Sequence, residues 1–224
     1  YIYKILINIK FSKASRKMNE IAYLAIDIQF SRLTELDRQR GLVFLNVYDL
    51  PNTNLNTFDG VIISNHIDEP YLLAHDAILT DYINQGGVIF TLVEKSLPWL
   101  NCVSNWKRSS IPLKDRALEV KATDNGLFEN IKVKDLEYRR GVRGFFSRGY
   151  FETVPEQAKV LITDQEQQPI VYVDRTHKGT IYAGAGTDMY RIYTYEDNTS
   201  NQVGLQMLNA IRTEASRIRE DYQH

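Results

Sequence analysis

The sequence predicts an α/β fold, a three-layer sandwich on a mostly parallel sheet extended by antiparallel strands. Through the first half, apolar runs of strand length alternate with helix-length amphipathic segments over short links, the rhythm of βαβ units. Runs such as Val61-Ile62-Ile63 and Val88-Ile89-Phe90 are apolar at successive positions, as strands covered on both faces are. In the second half shorter runs are separated only by turns, at 165–168 and 176–179, and read as antiparallel additions to the sheet.

Element by element, residues 3–9 are short, apolar and Ile-rich, and read as a first buried strand. From Ser12 the spacing of Met18, Ile21, Ala22, Ala25, Ile28, Leu33 and Leu36 predicts a helix, with Arg16, Lys17, Glu20, Arg32, Glu35 and Arg38 at the other positions and Gly41 as its stop. Residues 42–47 form the next strand, leading into Tyr48-Asp49-Leu50-Pro51 and an Asn-rich loop. The strand 61–64 ends in Ser64-Asn65-His66, where open parallel sheets place ligands. A helix is predicted over 70–84, with Leu72, Leu73, Ile78, Leu79, Tyr82 and Ile83 toward the core and Gly86-Gly87 closing it, followed by a strand at 88–92. Strands follow at 159–162, 170–173 and 180–183. The last helix, 200–222, places Val203, Met207, Leu208, Ile211, Ala215 and Ile218 on one face, with Asn198 or Ser200 as cap. Without an internal repeat or low-complexity linker, residues 1–224 read as one domain.

Composition narrows the function. Hydrophobic residues at 43% and charged residues at 25% are the balance of a folded globular chain. Lys plus Arg at 27 against Asp plus Glu at 28 leaves a net charge of -1, so no global field recruits nucleic acid or an anionic membrane. No apolar run approaches the roughly 20 residues that cross a bilayer. Cys102 is the one cysteine, which excludes an intrachain disulfide and a multi-thiolate zinc site and fits a reducing, cytoplasmic compartment. The chain opens at Tyr1 without a Met, which leaves a removed leader open.

The strings Tyr48-Asp49-Leu50-Pro51, Phe58-Asp59-Gly60-Val61-Ile62-Ile63 and Gly86-Gly87-Val88-Ile89-Phe90 resemble the class I glutamine-amidotransferase-like superfamily, with its flavodoxin-like sheet. The ThuA-like proteins and the trimerisation domain of certain β-galactosidases are the branches most like it. Ala158-Lys159-Val160-Leu161, Gln168-Pro169-Ile170-Val171-Tyr172-Val173 and Lys178-Gly179-Thr180-Ile181-Tyr182-Ala183-Gly184 are similar to the closing strands of those branches. The resemblance implies a catalytic Cys on a sharp turn after the 88–92 strand, but the chain carries Val93-Glu94-Lys95-Ser96 there and no late His-x-Glu pair. Where ThuA-like members carry Gly-His-Asp near the end, this chain has Gly186-Thr187-Asp188.

Several segments are candidates for a site. Ser64, Asn65 and His66, with Asp68 and Glu69 beyond, could hold a polar ligand, or Asp68 and Glu69 could favour the start of the next helix. Glu94, Lys95 and Ser96 stand where the nucleophile would be, with Glu94 as an acid or base held beside Trp99 or Trp106, or paired with Lys95. Arg139, Arg140, Arg143 and Arg148 interleave with Phe145, Phe146 and Tyr150, a mixture able to grip phosphate or stack on a base, or else a structural hairpin with exposed Arg. Thr187 and Asp188 close a strand whose Gly184-Ala185-Gly186 lacks P-loop and dinucleotide spacing, so no nucleotide cofactor is expected from it. Cys102 reads as a small buried hydrophobe, and His66, His75, His177 and His224 have no paired ligand spacing, so neither a metal nor a cofactor is expected.

Two functions follow. One is a non-catalytic ligand-binding or assembly module on a degenerate amidotransferase-like fold. The other, implied by the ThuA-like resemblance, is an enzyme acting on a small polar or sugar-derived substrate, with Glu94 as acid or base and Asp188 or His66 assisting. A nucleic-acid binder ranks last, and no membrane partner is expected. Tyr190, Ile192, Tyr193 and Tyr195 around Arg191, taken as an extended segment, predict a homodimer in which this segment or the adjacent final helix forms part of the contact.

Overall fold

Five apolar residues in a row, Ile21–Ala25, none exposed, form the strand β1 at the heart of the N-terminal half of the computed structural model, which describes residues 20–222. They belonged to the predicted helix. A continuous apolar run satisfies helical spacing as readily as strand spacing, and complete burial on both faces favours the strand. Among the described residues two short helices remain of the prediction, α1 (Asp27–Phe30) and α2 (Glu35–Gln39), and Ile28 and Leu36, expected on the core face, are exposed. The strand predicted over 3–9 lies outside the described residues.

The parallel part continues with β2 (Leu42–Asn46), β3 (Gly60–Ile63) and β4 (Val88–Thr91). Between β3 and β4 the predicted single helix is two, α3 (Glu69–Ala74) and α4 (Asp76–Asn84), meeting at His75. Asp68 caps α3 by accepting from the Tyr71 amide at 2.9 Å, and Pro70 occupies its first turn, where a missing N–H costs nothing. The less regular middle of the chain supplies β5 (Trp106–Arg108), β6 (Leu118–Val120), α5 (Val133–Glu137), β7 (Tyr138–Arg139), β8 (Val142–Arg143) and β9 (Gly149–Phe151). Then come β10 (Lys159–Asp164), β11 (Pro169–Asp174), β12 (Thr180–Gly184), α6 (Met189–Ile192) and α7 (Val203–Asp221).

The main sheet has the order β2-β1-β3-β4-β12-β11-β10-β6. Strands β2, β1, β3, β4 and β12 are parallel, in the 2-1-3-4-5 arrangement of doubly wound folds, and β11, β10 and β6 add antiparallel pairs. Helix α7 covers one face with Val203, Met207, Leu208, Ile211, Ala215 and Ile218 all buried as their spacing predicts, after a 3-10 turn capped by Asn198. It lies so close that a Cβ on Gly60 would stand 2.3 Å from Ile211 Cγ2. The Arg-rich segment is partly a hairpin: β7 and β8 join through Arg140 and Gly141, both at positive φ, the two-residue turn that matches strand twist. Among the described residues no helix is long and apolar enough to cross a membrane.

Candidate functional site at the carboxyl edge of the sheet

A doubly wound sheet leaves a crevice beyond the carboxyl ends of its strands, at the point where the order reverses, here between β1 and β3. Two adjoining cavities occupy that edge. The first, about 420 Å³, is lined by Asn65, His66, Glu94, Arg143, Arg148, Thr187 and Asp188 among others. The second, about 400 Å³, shares Asn65, His66, Phe145, Arg148, Asp188 and Ile192 and adds Tyr23, Gln29, Arg32, Arg139, Arg140, Arg191 and Tyr195.

Asp188 stands at the base of both. The residue is 8% exposed, its Oδ2 accepts from the Tyr23 hydroxyl at 2.5 Å, and its buried Oδ1 has no hydrogen-bond partner. Burial pushes the Asp188 carboxyl above the ordinary carboxylate range, against the opposing pull of the Tyr23 hydrogen bond and the Arg191 charge. The Tyr23 phenol is pushed up as well, first by burial and then by the charge of Asp188. A carboxyl raised in the folded state favours folding while it is protonated in both states, and that contribution fades as pH climbs past the unfolded value. Asp188→Asn keeps the polar shape and removes the titration. Relative to the variant, the parent protein is therefore expected to be most stable near about pH 4 and to lose ground toward about pH 7. Thermal melts across that range check it, and a difference independent of pH would refute it.

Glu94 enters the first cavity from the segment after β4. Gly186, at φ +88, makes room for it, since a Cβ there would stand 2.2 Å from Glu94 Cγ. Its neighbour Lys95 points the other way, as successive residues of an extended segment do. Lys95 is buried, its Nζ donates to Asn105 Oδ1 at 3.0 Å, it lies over the Trp99 ring, and burial lowers its pKa. The expected Glu94–Lys95 pair is thus replaced by two residues facing different surroundings. Neither Trp99 nor Trp106 lines the cavity that Glu94 enters.

Ser96 is held by Glu69, which accepts from the Ser96 amide at 2.9 Å, the Ser96 hydroxyl at 2.8 Å, the Leu97 amide at 3.2 Å and Trp99 Nε1 at 2.8 Å. Glu69 thereby fixes the loop that carries Glu94. Glu69→Ala is expected to cost roughly 2–4 kcal/mol, because several donors lose one shared acceptor. Limited proteolysis should then cut faster within residues 94–100, and an unchanged cleavage pattern would refute this bracing role.

Of the other sequence-predicted residues, Ser64 is fully buried beneath the cavities and its hydroxyl accepts from Gln29 Nε2. Asn65 Nδ2 and His66 Nε2 lie 3.3 Å apart on the rim. The Thr187 hydroxyl donates to Phe145 O at 3.1 Å, Arg143 pairs with Glu137 at 2.9 Å, and Arg148 is exposed. Cys102 lines neither cavity; it packs against the core, and burial pushes its thiol up to about 11. Among the described residues no cluster of three His, Cys, Asp or Glu side chains is arranged to hold a metal ion.

The tyrosine segment is a helical turn, not extended chain. Tyr190 and Tyr193 are buried, with the Tyr190 hydroxyl donating to Asp37 at 2.5 Å and the Tyr193 hydroxyl to Leu136 O, while Tyr195 is 76% exposed. Helical geometry thus removes two of the four side chains from the expected contact. Sequence reasoning missed Tyr23, Gln29, Arg32 and Arg191 as site residues. The first three fell within the mispredicted helix; the signal for Gln29 and Arg32 was their place directly after a continuous apolar run, in which Tyr23 itself lies.

No protein-family model matches the sequence, and no curated protein matches it. Solved structures do share the fold. A protein of Thermoplasma acidophilum described as a candidate GMP synthase component is 13% identical with a TM-score of 0.60, over 92% of this chain and 98% of that one. Two proteins of Salmonella typhimurium described as cytoplasmic are 12% and 10% identical, with TM-scores of 0.55 and 0.57, each over 87% of this chain and 98% of its own. At these identities the likeness is one of fold: the chain has the α/β architecture of these structures.

Proposed function

We propose that the chain is a ligand-binding protein on an amidotransferase-like fold without a glutaminase nucleophile, taking a small polar molecule at the carboxyl edge of its sheet. The observation that carries this reading is the convergence of Asn65, His66, Glu94, Thr187 and Asp188, from three separate segments, on one cavity of about 420 Å³. That is the scale of small-molecule sites, with a few polar groups aimed inward. Glutamine hydrolysis finds no support, because Leu92-Val93-Glu94 follows β4 and the one cysteine is a partly buried thiol that lines neither cavity.

The enzyme reading has one observation in its favour: Glu94, His66 and Asp188 open onto the same cavity. On that reading Glu94 is the acid or base acting on the bound molecule, and buried Asp188 assists by donating or taking a proton. One variant separates the readings. A thermal-shift screen of polar metabolites is expected to give a hit, since a ligand at 100 times its dissociation constant adds roughly 2.7 kcal/mol. Glu94→Gln should weaken that hit while leaving the unliganded melt unchanged. Turnover of the hit by the parent protein and not by Glu94→Gln would favour the enzyme; a hit equally strong in Glu94→Gln and Thr187→Val would remove the site.

A further inference from the structure

The second cavity has an unusual charge. Arg32, Arg139, Arg140, Arg148 and Arg191 line it, against the single carboxyl of Asp188. Among the described residues the guanidinium groups of Arg32, Arg140 and Arg148 have no acidic partner. Arg139 stacks over Phe145 at 5.8 Å with its Nε buried and unbonded, and Arg191 is held by neutral carbonyl oxygens, Gln29 O at 3.1 Å and Arg32 O, with Asp188 as the carboxyl its charge acts on. Like charges gathered around a concave surface raise one another's energy and concentrate anions. With a net charge of -1 for the whole chain, this concentration of positive charge is local.

We propose that the ligand carries a multiply charged oxyanion, the phosphate or pyrophosphate group of a small molecule, seated among Arg32, Arg139, Arg140, Arg148 and Arg191. This rests on the polar-ligand reading above and names its chemical class. A lone carboxylate would offset one of five positive charges, whereas a phosphate ester brings about two charges and three acceptor oxygens that guanidinium forks engage in pairs. Asp188 fits the same occupant. Its Oδ1 is buried and without a hydrogen-bond partner, and burial raises its pKa, so the one acidic group in the lining resists ionisation and opposes an anion less than an exposed carboxylate would. The volume of about 400 Å³ suits a small molecule rather than a strand of nucleic acid. The uncharged remainder of the ligand extends over Asn65 and His66, which belong to both cavities.

Titration calorimetry and amide NMR at low salt, with inorganic phosphate, inorganic pyrophosphate, glucose 6-phosphate, glucose and a short single-stranded oligonucleotide, test this. Pyrophosphate and glucose 6-phosphate are expected to bind saturably, to shift the amides of Arg148, Thr187 and Asp188, and to weaken as salt rises. Arg140→Ala with Arg148→Ala should weaken both by roughly tenfold to a hundredfold. Both side chains are exposed, so the variant should melt as the parent does. Absence of saturable anion binding, or equal binding in the variant, overturns the proposal. Tighter binding of the oligonucleotide than of any small phosphate also overturns it, in favour of nucleic acid. If the anions fail while neutral polar metabolites shift Asn65, His66 and Thr187, the polar-ligand reading stands alone; if nothing shifts those amides, both fall.

Discussion

Replacing Arg116 with methionine is expected to destabilise the fold by about 3–5 kcal/mol, the range for removing one member of a buried ion pair. Arg116 is 2% exposed, and its guanidinium donates to Ser147 O at 2.8 Å, Gly149 O at 2.7 Å and Asp164 Oδ2 at 3.2 Å. Methionine fills much of the space and satisfies none of these acceptors. Asp164, fully buried, would keep only the turn amides of Glu166 and Gln168 on its other oxygen. The melting temperature should fall by roughly 10 °C for a chain of this size. The same variant should weaken phosphate binding, because the two carbonyls that Arg116 grips flank Arg148 and hold it at the cavity mouth. Adding Asp164→Leu should recover part of the lost stability, since removing a whole buried pair is tolerated better than breaking it. A melt within about 1 °C of the parent would show that Arg116 does not brace this segment.

The second large effect is a dependence on acid. Glu214, on the buried face of α7, accepts from Arg175 Nε at 2.8 Å, Arg217 Nη2 at 2.7 Å, Thr180 Oγ1 at 2.6 Å and Asn125 Nδ2 at 3.0 Å. Burial alone would raise its pKa, yet the hydrogen bonds from Arg175, Arg217 and Thr180 outweigh it and hold the carboxyl at about 2. Asp124, paired with Arg175 at 2.6 Å, is also held below its usual value, with burial again overcome by Arg175 and Tyr182. For carboxyls depressed in the folded state, the stabilisation is complete above the unfolded value of about 4.3 and is lost as pH falls toward the folded one. Glu214→Gln is expected to cost roughly 3 kcal/mol at neutral pH and to lose most of that deficit by about pH 2.5. Denaturant unfolding across this interval measures it, and parallel acid limbs for parent and variant would assign the dependence elsewhere.

The fold was legible where turns or polar loops bound an apolar run and where a helix face shows clear periodicity. Strands β3, β4, β10, β11 and β12 fell where the pattern placed them because turn residues or polar loops bound each short run, and the apolar face of α7 because its spacing is helical. Strand β1 was misread because IAYLA has no polar position to fix a period. That error displaced Tyr23, Gln29 and Arg32, so one part of the second cavity's wall was invisible. The pairing of Tyr23 with Asp188 across 165 positions, and the role of Glu214 on an otherwise apolar helix face, depend on which strands become neighbours. Local sequence carries no record of that. Asn65, His66, Glu94, Arg148 and Asp188 were within reach because strand ends in a parallel sheet converge by topology alone.

The place of β12 in the sheet has a consequence for how the chain is made. Strands β1, β3 and β4 are complete once residue 91 has been synthesised, but the neighbour of β4 on its other side is β12, at residues 180–184. At roughly 5–20 residues per second, the intervening stretch takes several seconds or longer to emerge, and α7, which covers the same face, comes later still. Throughout that interval β4 presents an unpaired backbone edge with mostly apolar side chains, the kind of surface that recruits other nascent strands. The chain is therefore expected to need shielding late in translation, and its yield should depend more on chaperone supply and elongation rate than its folded stability alone would suggest.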